Sequence, residues 1–123
     1  MRKEGLVETG PAKALRLTDR GFLLAEDMVR RHRLAERMLV DLLGVELHRA
    51  HIEAHRLEHA ISAELLVNIV TPLGNPTTCP FGGPIPGSGY ERSSTEVIPL
   101  SQAEVEQRYI LNRIPEEDYE FLR

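Results

Sequence analysis

Side chains that can act as metal ligands are concentrated in one stretch of this chain. All five histidines lie between His32 and His59. On an α-helix, residues spaced by three, four, seven or eight positions lie on one face, so two stripes of ligands result. The first stripe consists of His32 and Glu36, and the second consists of His51, His55, Glu58 and His59. The spacing predicts two helices that carry one or two transition-metal sites.

The donor atoms in these stripes are imidazole nitrogens and carboxylate oxygens, which suit Mn(II), Fe(II), Co(II), Ni(II) and Zn(II). An i, i+4 pair places two donors one turn apart, where a single ion reaches both. His32 and Glu36 form such a pair, and His51 from the second helix could complete their site. The second predicted cluster is His55, Glu58 and His59. The alternative is a solvated polar face whose histidines bind no metal.

Two enzyme motifs that also place histidine and glutamate on a helix have different spacings. In the zinc peptidase motif H-E-x-x-H the glutamate directly follows the first histidine, whereas Glu53 lies two residues after His51. The di-iron pattern Glu-x-x-His does not fit either, because Glu58 and His59 are adjacent. A metallohydrolase is therefore the least favoured hypothesis, and we expect a protein that is not an enzyme.

The composition is that of one compact globular domain. The 123 residues are 41% hydrophobic and 28% charged, which is too balanced for intrinsic disorder. A net charge of -4 argues against a nucleic-acid-coating module. No apolar run approaches the roughly 20 residues of a membrane helix, and no signal peptide is recognisable. The single cysteine, Cys79, cannot form an intramolecular disulfide, so we expect a cytoplasmic protein.

Turn and capping residues divide the chain into short elements. Alternating runs at residues 6–8 and 14–17 predict a two-stranded ribbon. Thr18 is predicted to cap a long helix that ends at about Leu43, before Gly44. A second helix is expected from about Glu46 or Leu47 to Ala60, and a third, capped by Ser62, over 65–70.

The sequence after Pro72 changes character. Residues 72–88 are dense in Pro, Gly and Thr and predict an ordered loop that Phe81 and Ile85 anchor on the helices. Beyond a flexible linker, strands are expected over 96–100 and 108–114, followed by a short helix over 116–122. The predicted fold class is mainly α, with a short N-terminal β-ribbon and an incomplete C-terminal β segment.

Three separated motifs resemble one known family. They are Arg-His-Arg-Leu-Ala-Glu-Arg-Met-Leu at 31–39, Glu-Ala-His-Arg-Leu-Glu-His-Ala-Ile-Ser at 53–62 and Cys-Pro-Phe-Gly-Gly-Pro-Ile-Pro-Gly at 79–87. The chain resembles the diphtheria toxin repressor family of iron- or manganese-dependent regulators over residues 5–87. The resemblance implies the remnant of a winged-helix DNA-binding domain (the wing) at 1–17 and a metal-binding and dimerisation domain at 18–88. It also implies a linker at 89–95 and the truncated start of an SH3-like domain at 96–123, so that the chain is expected to be a fragment.

The resemblance also assigns the predicted ligands to two sites. His32, Glu36 and His51 match an ancillary site, whereas His55, Glu58 and His59 match a primary site that takes a further ligand from the winged domain. His55 stands where iron-selective relatives tend to have Cys and manganese-selective ones Glu. Fe(II) or Mn(II) is the favoured ion, and Zn(II), Co(II) and Ni(II) are also chemically possible. Metal is expected first at the ancillary site.

The function implied by the resemblance is that of a metal-dependent transcriptional repressor in metal-ion homeostasis. The present chain would supply metal sensing and homodimerisation, and operator DNA would be bound only by a full-length protein that has the winged helix. The alternative hypothesis is a helical homodimerisation module with no metal-sensing role. In that case Leu39, Leu42, Leu43 and the alanine-rich face of the second helix would form the interface.

Overall fold

The computed structural model describes residues 5–92 and 96–123 as a set of helices preceded by a small antiparallel ribbon. In these residues the regular elements are β1 (Val7–Thr9), β2 (Leu15–Leu17), α1 (Asp19–Arg37), α2 (Leu47–Leu57), α3 (Ala63–Val70) and α4 (Tyr119–Leu122). The predicted mainly α fold with an N-terminal ribbon is confirmed. Within the described residues, every helix is too short or too polar to cross a membrane.

The ribbon is tied to the beginning of α1 through the predicted helix cap. The strands pair around a tight turn at Pro11–Lys13. The Thr18 hydroxyl accepts a hydrogen bond from the Gly21 amide at 3.1 Å and donates one to the Gly5 carbonyl at 2.6 Å. The Thr18 amide donates to the Leu6 carbonyl at 3.0 Å. One threonine therefore caps the helix and also holds the chain that leads into β1.

The close approach of β1 to α1 requires a glycine at position 21. A Cβ atom at Gly21 would overlap the Leu6 carbonyl oxygen and lie 2.9 Å from its carbonyl carbon. We expect Gly21→Ala to release the ribbon and destabilise the chain by about 1–3 kcal/mol, although alanine is the better helix former. Urea unfolding and amide exchange of Thr18 measure the two effects. Gly10→Ala is the control, because its Cβ would lie 3.5 Å from the nearest atom, the Ala14 carbonyl oxygen. An unchanged Thr18 exchange rate in Gly21→Ala would contradict the expectation.

The helices begin and end close to the positions that the sequence predicts. α1 continues into a π-helical turn at Met38–Leu42, and Gly44 then adopts a φ of +67°. The Ser62 hydroxyl accepts from the Leu65 amide at 3.1 Å and so caps α3 as predicted. α2 ends at Leu57, three residues earlier than predicted.

Two groups of buried side chains form the core. The larger group joins α1, α2, α3 and the loop at 72–88, and consists of Leu34, Ala35, Leu39, Ala54, Ile61, Leu66, Ile69 and Ile85. The smaller group consists of Ala50, Cys79 and Phe81, against which Ile114 and Leu122 of the C-terminal tail pack. The expected anchors Phe81 and Ile85 are thus both buried.

The structure corrects the interface that the alternative hypothesis assumed. Ala50 and Ala54 are fully buried within this one chain, and Leu39 is nearly so. The alanine-rich face of α2 therefore packs on α1 and the loop and is not available to a second subunit. Leu42 and Leu43 remain exposed.

Arginines on α1 hold the glycine- and proline-rich loop in place by binding its backbone carbonyls. The pairs are Arg30 with Pro86 at 3.3 Å, Arg33 with Pro84, and Arg37 with Thr78 at 2.6 Å. Gly83 leaves room for Arg33, because a Cβ there would lie 2.9 Å from its Nε atom. The segment Thr78-Cys79-Pro80 thus has a packing role.

The C-terminal tail differs from the prediction. The described residues 96–123 contain a 3-10 turn at Leu100–Gln102 and α4, but no strand, so the expected incomplete β segment is wrong. A strand needs a partner strand for its backbone hydrogen bonds, and residues 108–114 pair with no strand in the described chain. The tail is attached instead by the Ile114 amide, which donates to the Phe81 carbonyl at 3.0 Å. The predicted linker at 89–95 includes residues 93–95, which lie outside the described residues.

Candidate metal centre

Four side chains from three parts of the chain meet in one cluster, which we call the first cluster. His32 and Glu36 come from α1, His51 from α2 and Glu116 from the tail, and one ligand atom of each lies within 4.8 Å of all the others. His32 Nε2 is 3.4 Å and His51 Nδ1 is 3.6 Å from Glu36 Oε2. His51 Nδ1 is 3.7 Å from Glu116 Oε2. The structure brings together the three residues that the sequence grouped and adds a fourth.

Glu116 is the candidate ligand that sequence reasoning missed. It stands in an acidic run after Pro115, 57 positions beyond His59, and nothing in its local sequence distinguishes it from Glu117. Only the path of the tail brings it to the helices. Because Ile114 is bonded to Phe81 and Leu122 packs in the smaller core group, the residues between them are held across α2.

The first cluster contains carboxylate oxygens that lie near the histidines but accept no hydrogen bond within the described residues. Glu36 is fully buried, yet neither of its oxygens, nor Oε2 of Glu116, accepts a hydrogen bond within the described residues. Burial raises the pKa of Glu116, and the neighbouring Glu36 raises it further, against the opposing effect of His51 and His32. Two carboxylates placed together away from water are stabilised by a shared cation. These oxygens without hydrogen bonds are therefore the strongest sign of a metal site in the described residues.

His32 contacts a second group of ligands through its other ring nitrogen. Its Nδ1 lies 2.7 Å from Glu58 Oε2, while its Nε2 lies 3.0 Å from His51 Nδ1. Burial lowers the pKa of His32, but contacts with Glu36 and Glu58 outweigh this and raise the pKa above its ordinary value. The imidazole thus lies between carboxylates on two sides.

The second cluster differs in membership from the one that the sequence grouped. His32, His55 and Glu58 have ligand atoms within 4.8 Å of one another. His55 Nδ1 lies 3.1 Å and His59 Nε2 lies 3.5 Å from Glu58 Oε1. His59 does not belong to the compact set, and its side chain is 68% exposed, compared with 8% for Glu58. His55 and His59 thus stand at the solvent edge of this cluster.

The donors present fit a borderline or hard divalent ion. The first cluster offers two imidazoles and two carboxylates, the set that suits Mn(II), Fe(II), Co(II) or Zn(II). Cys79 is not part of it: its sulfur accepts from the Gly83 amide at 3.3 Å. Burial, followed by the charge of Glu36, raises the pKa of the Cys79 thiol and so disfavours the thiolate that a metal would need. His32, Glu36, His51 and Glu116 would hold the ion.

The raised pKa values of His32 and Glu116 predict opposite pH effects with and without metal. In chelator, the stability that both groups contribute is present at low pH and is lost as pH rises through their raised values, from about pH 4.5 to above about pH 6.5. The additional stability given by saturating Mn(II) should instead grow over this range, because ligands must lose their protons. Urea unfolding at several pH values measures both trends. In Glu116→Gln the chelator trend should weaken, and an unchanged trend would contradict the assignment.

The chain is a small helical domain with an N-terminal β-ribbon. It gathers histidines and carboxylates from three elements, an arrangement typical of metal-binding helical proteins. Residues 18–87 match the family described as the iron dependent repressor, metal binding and dimerisation domain. The chain belongs to this family, and the predicted resemblance is confirmed.

Individual relatives and solved structures agree with this family. The chain is 45% identical over 87 residues to a diphtheria toxin repressor of Corynebacterium efficiens and 46% identical over 87 residues to the iron-dependent repressor IdeR of Mycobacterium tuberculosis. Each match covers 71% of this chain and 38% of the relative, so the match spans well under half of either relative's length. A manganese-dependent transcriptional repressor in complex with manganese superposes with a TM-score of 0.81 at 38% identity, covering 98% of this chain and 55% of that one. ScaR with bound Cd2+ gives a TM-score of 0.74 at 33% identity, covering 98% and 57%.

Proposed function

We propose that this chain is the metal-sensing and dimerising part of a metal-dependent transcriptional repressor in metal-ion homeostasis. The observation that carries the proposal is the pairing of the buried Glu36 with the partly buried Glu116, whose carboxylate oxygens lie close to His32 and His51 without accepting a hydrogen bond. The names of the relatives, iron-dependent and manganese-dependent repressors, support the regulatory role. The proposed role is cytoplasmic and involves no catalysis.

Metal sensing in this proposal is a linkage between ligand binding and the arrangement of three elements. α1, α2 and the tail each supply at least one ligand of the first cluster. An ion that needs all of them is bound best when the three elements are together, so its binding favours that arrangement. In a full-length protein the ribbon, which is fixed to α1 through Thr18 and Gly21, would move with α1 and carry this bias toward the DNA-binding domain.

The proposed ions are Fe(II) or Mn(II), with Zn(II), Co(II) and Ni(II) as chemically acceptable substitutes. We propose residues 18–88 as the metal-binding and dimerisation domain and the ribbon within 1–17 as the wing. The proposed partners are a second copy of the chain and, in a full-length protein, operator DNA. The exposed Leu42 and Leu43 are available for the contact between subunits.

The test is calorimetric titration of the chain with Mn(II), Co(II) and Zn(II), and with Fe(II) under anaerobic conditions. His51→Ala combined with Glu116→Ala should abolish binding at the first cluster, and His55→Ala combined with His59→Ala should affect the second cluster. His48→Ala is the control, since His48 lies on α2 but belongs to neither cluster. Sedimentation with and without chelator measures dimerisation. A dimer that is indifferent to chelator and contains no metal by elemental analysis would favour the module without metal sensing.

A further inference from the structure

The C-terminal tail and the loop at 72–88 border a cavity that contains none of the candidate metal ligands. Its volume is about 230 Å³, and its walls come from α1, the loop and the tail. The side chains that determine its chemistry are Arg37, Thr78, Phe81, Asn112, Arg113 and Ile114. We propose that this tail cavity binds a small organic carboxylate with an apolar body, such as an aromatic or branched acid. The proposal goes beyond the metal-sensing function, because it involves no metal ion.

The polar groups that line the tail cavity include donors that lack acceptors. Within the described residues, the Arg113 guanidinium and the Asn112 side-chain amide make no hydrogen bond or ion pair. The Thr78 hydroxyl accepts a hydrogen bond from Arg37 at 3.2 Å, but it donates its own proton to no described group. A carboxylate has only acceptor oxygens, with room for about four hydrogen bonds, so it can accept from all three residues.

The charge beside the tail cavity is not balanced. Arg37 is held by the Thr78 carbonyl at 2.6 Å and by Asp41, its ion-pair partner at 3.4 Å. Arg113 has no such partner in the described residues, and no aspartate or glutamate is among those that line the cavity. A guanidinium binds a carboxylate through two parallel hydrogen bonds, which fix both the position and the orientation of the acid group.

The remaining wall is apolar, which favours an organic acid over an inorganic anion. Phe81 and Cys79 are buried, whereas Leu111 of the tail lines the same cavity and is 72% exposed. An apolar ligand body would remove the Leu111 side chain from water. The cavity is smaller than the roughly 300–1,000 Å³ of sites for drug-sized ligands, so the ligand must be small. A ligand that contacts the loop and Arg113 together would also hold the tail on the loop, as the hydrogen bond from the Ile114 amide to the Phe81 carbonyl does.

Amide-resolved NMR titration of the full chain with benzoate and with isovalerate tests the site. Metal is removed on a chelating resin, because a soluble chelator is itself a carboxylate. Both acids should shift the amide signals of Gly82, Asn112 and Arg113 and slow hydrogen exchange at Ile114. Sodium chloride at equal ionic strength controls for screening. Benzyl alcohol, which has the ring without the charge, should bind at least about 10-fold more weakly than benzoate.

Arg113 variants test the assigned contact. Arg113→Gln should weaken benzoate binding by about 10- to 100-fold, since a hydrogen bond to a charged group contributes that much. Arg113→Lys keeps the charge without the paired donors and should lose less. Arg108→Gln is the matched control, because Arg108 is an exposed arginine of the same tail that does not line the cavity. It should bind benzoate as the unmodified chain does.

Failure of both acids to shift these signals would overturn the site. Equal affinity for inorganic phosphate and benzoate would overturn the ligand class, and equal losses in Arg113→Gln and Arg108→Gln would overturn the contact with Arg113. Urea unfolding of each variant establishes that it folds. Because every measurement is made without metal, each of these failures leaves the proposed metal sensing intact, and loss of metal binding would leave the tail cavity intact.

Discussion

Replacing Glu36 by glutamine is expected to stabilise the metal-free chain and, at the same time, to remove most of its affinity for a divalent ion at the first cluster. Glu36 is fully buried, and neither carboxylate oxygen accepts a hydrogen bond within the described residues. Glu36 lies close enough to Glu116 to raise the pKa of the Glu116 carboxyl group. An amide removes one of these two acidic groups and can donate a hydrogen bond to the other.

The two effects have opposite signs because the same carboxylate is costly without an ion and necessary with one. An unsatisfied buried polar group costs about 1–3 kcal/mol, so the free energy of unfolding in chelator should rise by about that amount. Loss of a charged ligand should weaken Mn(II) binding by more than about 100-fold, since even changes to outer partners reach that size. A residue with a purely structural role would not stabilise the fold when it is replaced.

The measurements are urea unfolding in chelator and Mn(II) calorimetry on the same preparations. Glu26→Gln is the matched control, because Glu26 is an exposed glutamate on the same helix, α1. It should leave both the unfolding free energy and the affinity nearly unchanged. Destabilisation of metal-free Glu36→Gln, or retention of full Mn(II) affinity, would contradict the assignment of Glu36 as a ligand.

Replacing Gly82 by alanine is expected to cause the second large loss of metal affinity. Gly82 is far from Glu116 in sequence, but it controls whether Glu116 reaches the first cluster. A Cβ at Gly82 would overlap the Asn112 carbonyl oxygen and lie 3.0 Å from both the Asn112 carbonyl carbon and the Arg113 Cα. Gly82→Ala should therefore push the tail away from the loop. The Ile114 amide would lose its bond to the Phe81 carbonyl, and Glu116 would leave the first cluster.

A matched control separates this steric effect from backbone strain. Gly82 and Gly87 lie in the same loop with φ values of +89° and +73°, but a Cβ at Gly87 would meet nothing within 4 Å. Both alanine variants should lose about 1–2 kcal/mol from the left-handed backbone conformation. Only Gly82→Ala should also lower Mn(II) affinity, by about 10- to 100-fold.

Amide exchange of Ile114 together with Mn(II) calorimetry measures this effect directly. Exchange at Ile114 should accelerate in Gly82→Ala and remain slow in Gly87→Ala. Combining Gly82→Ala with Glu116→Ala should add little further loss of affinity, because both changes remove the same ligand. Fully additive losses would show that the tail stays in place and that Gly82 acts elsewhere.

Much of the helical framework could be read from the sequence because its determinants are local. The caps at Thr18 and Ser62 and the terminating Gly44 act on their own helices within a few residues. The spacing of His32 and Glu36 puts both on one face whatever surrounds the helix. The anchors Phe81 and Ile85 were also recognisable as apolar residues in a polar loop.

Other features depended on contacts between distant residues, which no local pattern encodes. Leu42 and Leu43 fit the apolar face of the long helix that the sequence predicts but are exposed, while Ala50 and Ala54 of α2 are buried against the rest of the same chain. A strand was expected over 108–114, yet the described chain offers no partner strand for these residues. Periodicity describes which residues can share a face, but the neighbouring elements determine which face is covered.

In the candidate metal centre, too, local helical spacing and contacts between distant residues determine different features. The sequence by itself determined the identity and helical spacing of the ligands on α1 and α2, because a turn of helix fixes those distances. Only the tertiary structure decided that Glu116 joins them and that His32 stands between two clusters. The physical reason is that these contacts depend on how α1 packs against α2 and on the path of the tail. Gly82 permits this path because it has no side chain. The hydrogen bond from the Ile114 amide to the Phe81 carbonyl maintains it.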